Sequence, residues 1–144
     1  MKLTAYTDYS IRVLVYIGIN NDQLCTASEI SEFYGLSRNH LSKIIHHLSS
    51  LEIIQSYKGP KGGIELAKDP KEINLGNLIR KTEPDFHIVE CFASNINCRI
   101  APACKLKSIL YESNQLFLKN LDRYSLADVL KNRKELLKLV GTPF

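Results

Sequence analysis

The sequence predicts a mainly α fold with a small β-hairpin wing: a winged helix-turn-helix plus a long dimerisation helix. Three observations lead there. Two short amphipathic segments meet at Gly35, with Ser37 placed to start the second. Two short alternating runs flank Lys58-Gly59-Pro60-Lys61-Gly62-Gly63, whose glycines and proline force a tight reversal. A single apolar stripe then keeps one helical face from Leu106 to Tyr124.

Each element follows from a local pattern. Ile11, Leu14, Val15, Ile17 and Gly18 keep a helical period over residues 7–20, with Thr7 or Asp8 as the cap. After the polar loop Asn21-Asp22-Gln23, Thr26 and Glu29 form a capping-box pair opening a short helix through Ile30 and Phe33. Gly35, free to take positive φ, ends it. Ser37 caps a third helix whose Leu41, Ile44, Ile45, Leu48 and Leu51 form one apolar stripe, with Arg38, Asn39, Ser42, Lys43 and His46 opposite. Residues 53–57 and 64–66 alternate as strands, and Asn74 caps a helix over 75–81, which Pro84 follows. Periodicity disappears over 85–103 and returns near Pro102, a residue suited to a first helical turn. The stripe that follows comprises Leu106, Ile109, Leu110, Ser113, Leu116, Phe117, Leu121 and Tyr124; it suits a dimer seam, with packing inside one chain as the plain alternative. Ser125 and Asp128 start a last helical region, which Gly141 closes. The expected division is a winged helix-turn-helix unit over 1–83, a cysteine loop over 84–104, and the dimerisation and C-terminal helices over 105–144.

Composition narrows the function. The chain has 144 residues, 44% hydrophobic and 24% charged, which suits a folded globular protein and neither a disordered nor a fibrous one. No run approaches the ~18 apolar residues of a membrane span. The first residues lack an apolar leader core, so a cytoplasmic location is expected. The net charge is +4, yet residues 1–70 carry seven basic and seven acidic side chains, so total charge says little about nucleic acid. Local charge says more, because residues 36–63 set Arg38, Lys43, Lys58 and Lys61 against Glu52 alone. Ser37, Arg38, Asn39, His40 and Lys43 stand at the start of the third helix, and Lys58 and Lys61 on the wing, where donors meet base edges and phosphates. Arginine and asparagine pair bidentately with guanine and adenine. Double-stranded DNA is the expected partner, against a merely solvated helix face. The glycines at 59, 62 and 63 lack the G-x-x-x-x-G-K-[ST] spacing of a phosphate loop. No Ser-His-Asp, Cys-His or paired-carboxylate set stands out, so no enzyme is expected.

The sharpest chemical signal is a cysteine trio. Cys91, Cys98 and Cys104 fall within fourteen residues, separated by six and five, while Cys25 stands apart as a small packing residue. In a reducing compartment such a trio suits a metal or redox site before a disulfide framework. Three soft thiolates on one loop suit an iron–sulfur cluster or zinc, although the spacing is not that of a C-x-x-C zinc ribbon. Pro102-Ala103-Cys104 puts the last thiolate near a helix N-terminus, whose dipole favours ligation. Three unconnected cysteines are the plain alternative. A fourth ligand is missing: His87, Asp85 and Glu90 are local candidates, and Asp8, from this chain or a second subunit, is the distant one.

Leu3-Thr4, Thr7-Asp8-Tyr9, Tyr34-Gly35-Leu36-Ser37-Arg38-Asn39-His40-Leu41, Lys61-Gly62-Gly63-Ile64 and Pro102-Ala103-Cys104-Lys105-Leu106 together resemble the winged-helix iron–sulfur repressors. The resemblance covers residues 1–130 and is strongest to the nitric-oxide-sensing, NsrR-like branch. It implies a homodimer in which each cluster is held by three cysteines of one chain and an aspartate from the partner's first helix. That carries over to Cys91, Cys98, Cys104 and Asp8. It further implies a repressor of a palindromic operator, nitric oxide as signal, and a [4Fe–4S] cluster with [2Fe–2S] as the alternative. IscR-like members place a histidine three residues past the last cysteine, where this chain has Lys107. NsrR-like members have four or five residues between the first two cysteines, where this chain has six. The remaining readings are an iron–sulfur-status or redox-sensing regulator of the same family, and a zinc or thiol-switch interaction protein.

Overall fold

The computed structural model describes residues 2–94 and 98–140. The chain runs α1 (Ala5–Ile19), α2 (Ala27–Tyr34), α3 (Arg38–Ser50), β1 (Ile54–Tyr57), β2 (Gly63–Leu66), α4 (Leu75–Thr82), α5 (Lys105–Leu121), α6 (Leu126–Val129) and α7 (Arg133–Val140). This is the mainly helical winged helix-turn-helix that the sequence predicts. One-turn 3-10 segments lie at Pro70–Glu72, Glu90–Phe92, Ala101–Ala103 and Leu130–Asn132.

Caps set the boundaries. Thr4, rather than Thr7 or Asp8, caps α1: its Oγ accepts the Thr7 N–H at 3.3 Å from an extended backbone. The apolar period misses this cap because Thr7 is itself inside the helix and fully buried. Thr26 and Glu29 cap α2 reciprocally, with N–H to carboxylate at 2.6 Å and N–H to hydroxyl at 3.2 Å. Gly35 ends α2 at φ 62°, and Ser37 opens α3 by accepting the His40 N–H at 3.3 Å.

The strands β1 and β2 pair antiparallel, Ile54 opposite Leu66 and Tyr57 opposite Gly63. A Cβ at Gly62 would run into the Tyr57 carbonyl oxygen, so the turn of the wing needs a glycine there. Cys25 extends the hairpin by one bridge, exchanging backbone hydrogen bonds with Ile64 at 3.0 and 2.7 Å. The core beneath joins Leu14 and Ile17 of α1, Ile30 of α2, Leu41, Ile44 and Leu48 of α3, and Leu126 of α6. Each of these is at most 1% exposed, and each such side chain contributes ~1.5–3 kcal/mol by leaving water.

Three expectations change in the second half. Pro102 sits in the 3-10 turn Ala101–Ala103, outside the first turn of α5, and Cys104 takes the N-cap position. The helix α5 stops at Leu121, so Tyr124 of the apolar stripe lies beyond it. Asp122 ends the helix there by pairing with Arg80, while its carbonyl accepts from the Asn74 side chain at 2.7 Å. Ser125 N–H donates to Asp128 at 2.8 Å, but the helix this box opens, α6, is a single turn. The chain then returns to α1: Arg133 Nε donates to the Ile19 carbonyl at 2.6 Å and its guanidinium pairs with Asp22 at 2.6 Å. Gly141 lies outside the described residues. Among the described residues no helix is long and apolar enough to cross a membrane.

Candidate nucleic-acid interface and cysteine segment

The first turn of α3 points Arg38, Asn39 and His40 outward, and Lys43 follows one turn on, all four exposed. The Ser37 oxygen accepts the capping bond, which leaves its hydroxyl hydrogen free to donate. Lys58 and Lys61 are exposed on the hairpin turn. Between α3 and the wing runs a groove of about 470 Å³ lined by Ser28, Arg38, Ser42, Ile45, Ser56 and Tyr57, among others. The Arg38 guanidinium donates to Ser28 Oγ across the turn at 3.3 Å. Tyr57 donates its hydroxyl to Glu65 at 2.6 Å, and that bond pushes the Tyr57 pKa up.

Sequence reasoning missed Ser28 and Tyr57 as parts of this surface. The alternation of β1 already placed Tyr57 on one face. Nothing local pointed to Ser28, because its partner lies ten residues away across the turn.

Behind the reading face, the Tyr6 hydroxyl of α1 lies 2.9 Å from His47 Nδ1 of α3, and burial pushes the Tyr6 pKa up. At the start of α1, Thr4 N–H donates to Glu83 Oε1 at 2.7 Å.

The cysteines occupy the irregular stretch between α4 and α5. Cys91 is half-buried within the 3-10 turn Glu90–Phe92, Cys98 is exposed, and Cys104 is half-buried at the N-cap of α5 with no side-chain capping bond. All three are free thiols. Among the described residues no three of the His, Cys, Asp and Glu side chains converge on one point, so a single chain does not bring the trio together with any predicted fourth ligand. Asp8 lies in the first turn of α1, half-exposed, and pairs with Arg12 at 2.8 Å. The Arg12 guanidinium also lies 5.8 and 5.9 Å from the ring centroids of Tyr9 and Tyr34. Asp85 accepts the His87 N–H at 2.8 Å, and Glu90 is exposed.

The donor set suits an iron–sulfur group in kind: three unpaired soft thiols on one irregular segment, and a carboxylate whose present ion pair is half in water. Cys25 is the opposite case. It is 1% exposed, and burial pushes its thiol up to about 11.

Comparison with known proteins places the chain. The family model Rrf2, described as an iron-dependent transcriptional regulator, matches residues 3–132. The HTH-type transcriptional regulator NsrR of Bacillus subtilis (strain 168) is 46% identical over 142 residues, 97% of each chain. Its namesake from Oceanobacillus iheyensis is 45% identical over 143 residues, 98% of this chain and 97% of that one. Among solved structures, T. potens IscR matches with a TM-score of 0.74 at 24% identity, over 94% of this chain and 90% of that one. CymR, the global cysteine regulator of B. subtilis, matches with a TM-score of 0.71 at 18% identity, over 90% of this chain and 95% of that one. These two likenesses establish the same fold. With a reading helix, a basic wing and full-length similarity to transcription regulators, the chain belongs to the Rrf2 family as a DNA-binding transcriptional repressor and not an enzyme.

Proposed function

We propose that the chain acts as a cytoplasmic homodimer that holds a palindromic operator and releases it in response to nitric oxide. In this reading Cys91, Cys98 and Cys104 of one subunit, with Asp8 of the other, hold an iron–sulfur cluster, [4Fe–4S] rather than [2Fe–2S]. The observation that carries it is the near-full-length 46% identity to an NsrR regulator, in a chain whose three thiols are all free. Bound there, the cluster supplies iron that takes up nitric oxide.

The chain's own residues do the rest. Thiolates are soft, tight ligands, whereas the Asp8 carboxylate is harder and more readily displaced. Asp8 is held in the free chain by a half-exposed ion pair with Arg12, which is worth little in water, so exchanging that partner costs little. Asp8 rides on α1, and α1 packs directly on α3, so the ligand and the reading helix share one support. The exposed side chains Leu106, Ile109 and Leu116 on α5, each 58–59% exposed, suit a seam with a second copy. Two α3 helices then address half-sites about 34 Å apart, or a multiple of that. Arg38, Asn39 and His40 read base edges, and Ser37, Lys43, Lys58 and Lys61 hold phosphates. The working division is a reading unit over 1–83, a sensing loop over 84–104 and a dimerisation segment over 105–144, whose last helices anchor it on α1.

An anaerobic absorbance spectrum with iron and sulfide counts tests this reading. The expected outcome is a coloured protein with both elements bound, and a Cys98→Ala variant unable to assemble the full cluster. Zinc without sulfide contradicts it in favour of the thiol-switch protein. Release of the operator by an oxidant but not by nitric oxide moves the signal to redox state.

A further inference from the structure

Two hydrogen-bonded contacts meet at the first turn of α1, and neither involves the reading face or the cysteines. On one side Thr4 is held by Glu83, the C-cap residue of α4, immediately before the cysteine-bearing segment. Thr4 N–H donates to Glu83 Oε1 at 2.7 Å, and the Thr4 hydroxyl donates to the same oxygen at 3.0 Å. On the other side the Tyr6 hydroxyl lies 2.9 Å from His47 Nδ1, with the ring centroids 5.8 Å apart. His47 stands in the last turn of α3, the helix whose first turn carries Arg38 and Asn39. The helix itself ties Thr4 to Tyr6: Thr4 Oγ accepts the Thr7 N–H, and its carbonyl accepts the Asp8 N–H at 3.0 Å. Both long-range contacts are partly buried, where water competes less well for the same groups.

We infer that Glu83 and Tyr6 are positioning residues: through the capped first turn of α1 they set the orientation of α3 from the start of the cysteine-bearing segment. The inference rests on the proposed function, in which α3 reads DNA and residues 84–104 receive the signal. His47 and Arg38 stand about 14 Å apart along a stiff helix at 1.5 Å per residue, so a tilt of about 5° at His47 carries the Arg38 end roughly 1 Å. That displacement exceeds what a bidentate contact to a base tolerates. Tyr6 also packs on His47 through its ring, so Tyr6→Phe removes the bond while keeping the packing.

The test measures operator affinity of the anaerobically loaded full chain by fluorescence anisotropy, before and after nitric oxide. The ratio of the two affinities is the readout, because a loss of stability alone lowers both. A wild-type ratio of one refutes the proposed function rather than this inference. With a wild-type response in hand, Tyr6→Phe and Glu83→Ala each cut the ratio by about five-fold or more. The double variant cuts it no further than the stronger single one, although no hydrogen bond or ring contact joins the two residues and independent sites multiply their effects. His47→Asn, whose amide keeps a hydrogen-bonding group near the Nδ1 position, retains the ratio, whereas His47→Leu behaves as Tyr6→Phe. Where a variant does not load, amide hydrogen exchange along α3 in the unloaded chain is read instead, and faster exchange in Tyr6→Phe than in the wild type is expected. A wild-type ratio or unchanged protection in both single variants, or losses that multiply in the double, overturns the inference.

Discussion

Cys25 and Cys98 carry the same thiol in opposite surroundings, and reaction with a reagent in water depends on reaching it. Cys25 is sealed beside Ile64 with its pKa pushed up to about 11, whereas Cys98 lies in water. Iodoacetamide near pH 8 is therefore expected to label Cys98 in the unloaded folded chain and to reach Cys25 only on unfolding; mass spectrometry of the labelled peptides checks this. Arg38 and the wing lysines separate by another physical distinction. Arg38→Ala is expected to relax discrimination at one base pair by about 1–3 kcal/mol. Lys58→Ala or Lys61→Ala weakens all sequences alike and flattens the salt dependence by about one phosphate contact each. Titrations against operator variants at several salt concentrations tell the two effects apart. Residue types and their spacing suggested these roles, and the structure leaves all three side chains exposed where such roles need them. The double duty of Ser37, as cap and as surface hydroxyl, needed the Oγ geometry.

Elements were legible where their signals are local. The Thr26–Glu29 box, Gly35 and Ser37 fix both ends of the helix-turn-helix turn within a dozen residues. Thr26→Ala is expected to cost about 1 kcal/mol in a denaturant titration, through loss of that cap. Boundaries failed where a distant partner decides them. The start of α1 depends on Thr4 held by Glu83, and the end of α5 on Asp122 held by Arg80 and Asn74. The α6 box gives a pH signature. Lys131 first, then the Ser125 hydrogen bonds, hold the Asp128 carboxyl down at about 2 against its ordinary 3.8. Its contribution is therefore full above that ordinary value and fades as pH falls through about 2. Asp128→Asn should lower the urea midpoint near neutral pH, and the gap to wild type should narrow as the solution is acidified. On α5, Leu116→Glu is expected to raise the dimer dissociation constant by about ten-fold or more, read by sedimentation equilibrium, since a buried leucine contributes ~1.5–3 kcal/mol.

At the scale of the whole molecule, sequence and structure divide the problem between them. The winged helix-turn-helix was legible because periodicity, caps and turn residues all agree over the first half of the chain. The return of the last helices to α1 was not, since Leu126 enters the core and Arg133 reaches Ile19 across 114 positions without any local pattern announcing it. The cysteine trio was legible as a donor set, but its gathering was not, because the thiols do not converge within one chain among the described residues. In the proposed reading Asp8 of the other subunit completes the donor set, and DNA affinity answers to what the trio holds. The direct test is operator binding by the anaerobically loaded protein, followed by anisotropy as nitric oxide is added. The account predicts tight binding to a palindromic operator that weakens by about 5–150-fold as nitric oxide is added, and a Cys98→Ala protein that shows no such response. Affinity that stays constant through the titration, with the cluster visibly consumed in the absorbance spectrum, contradicts it.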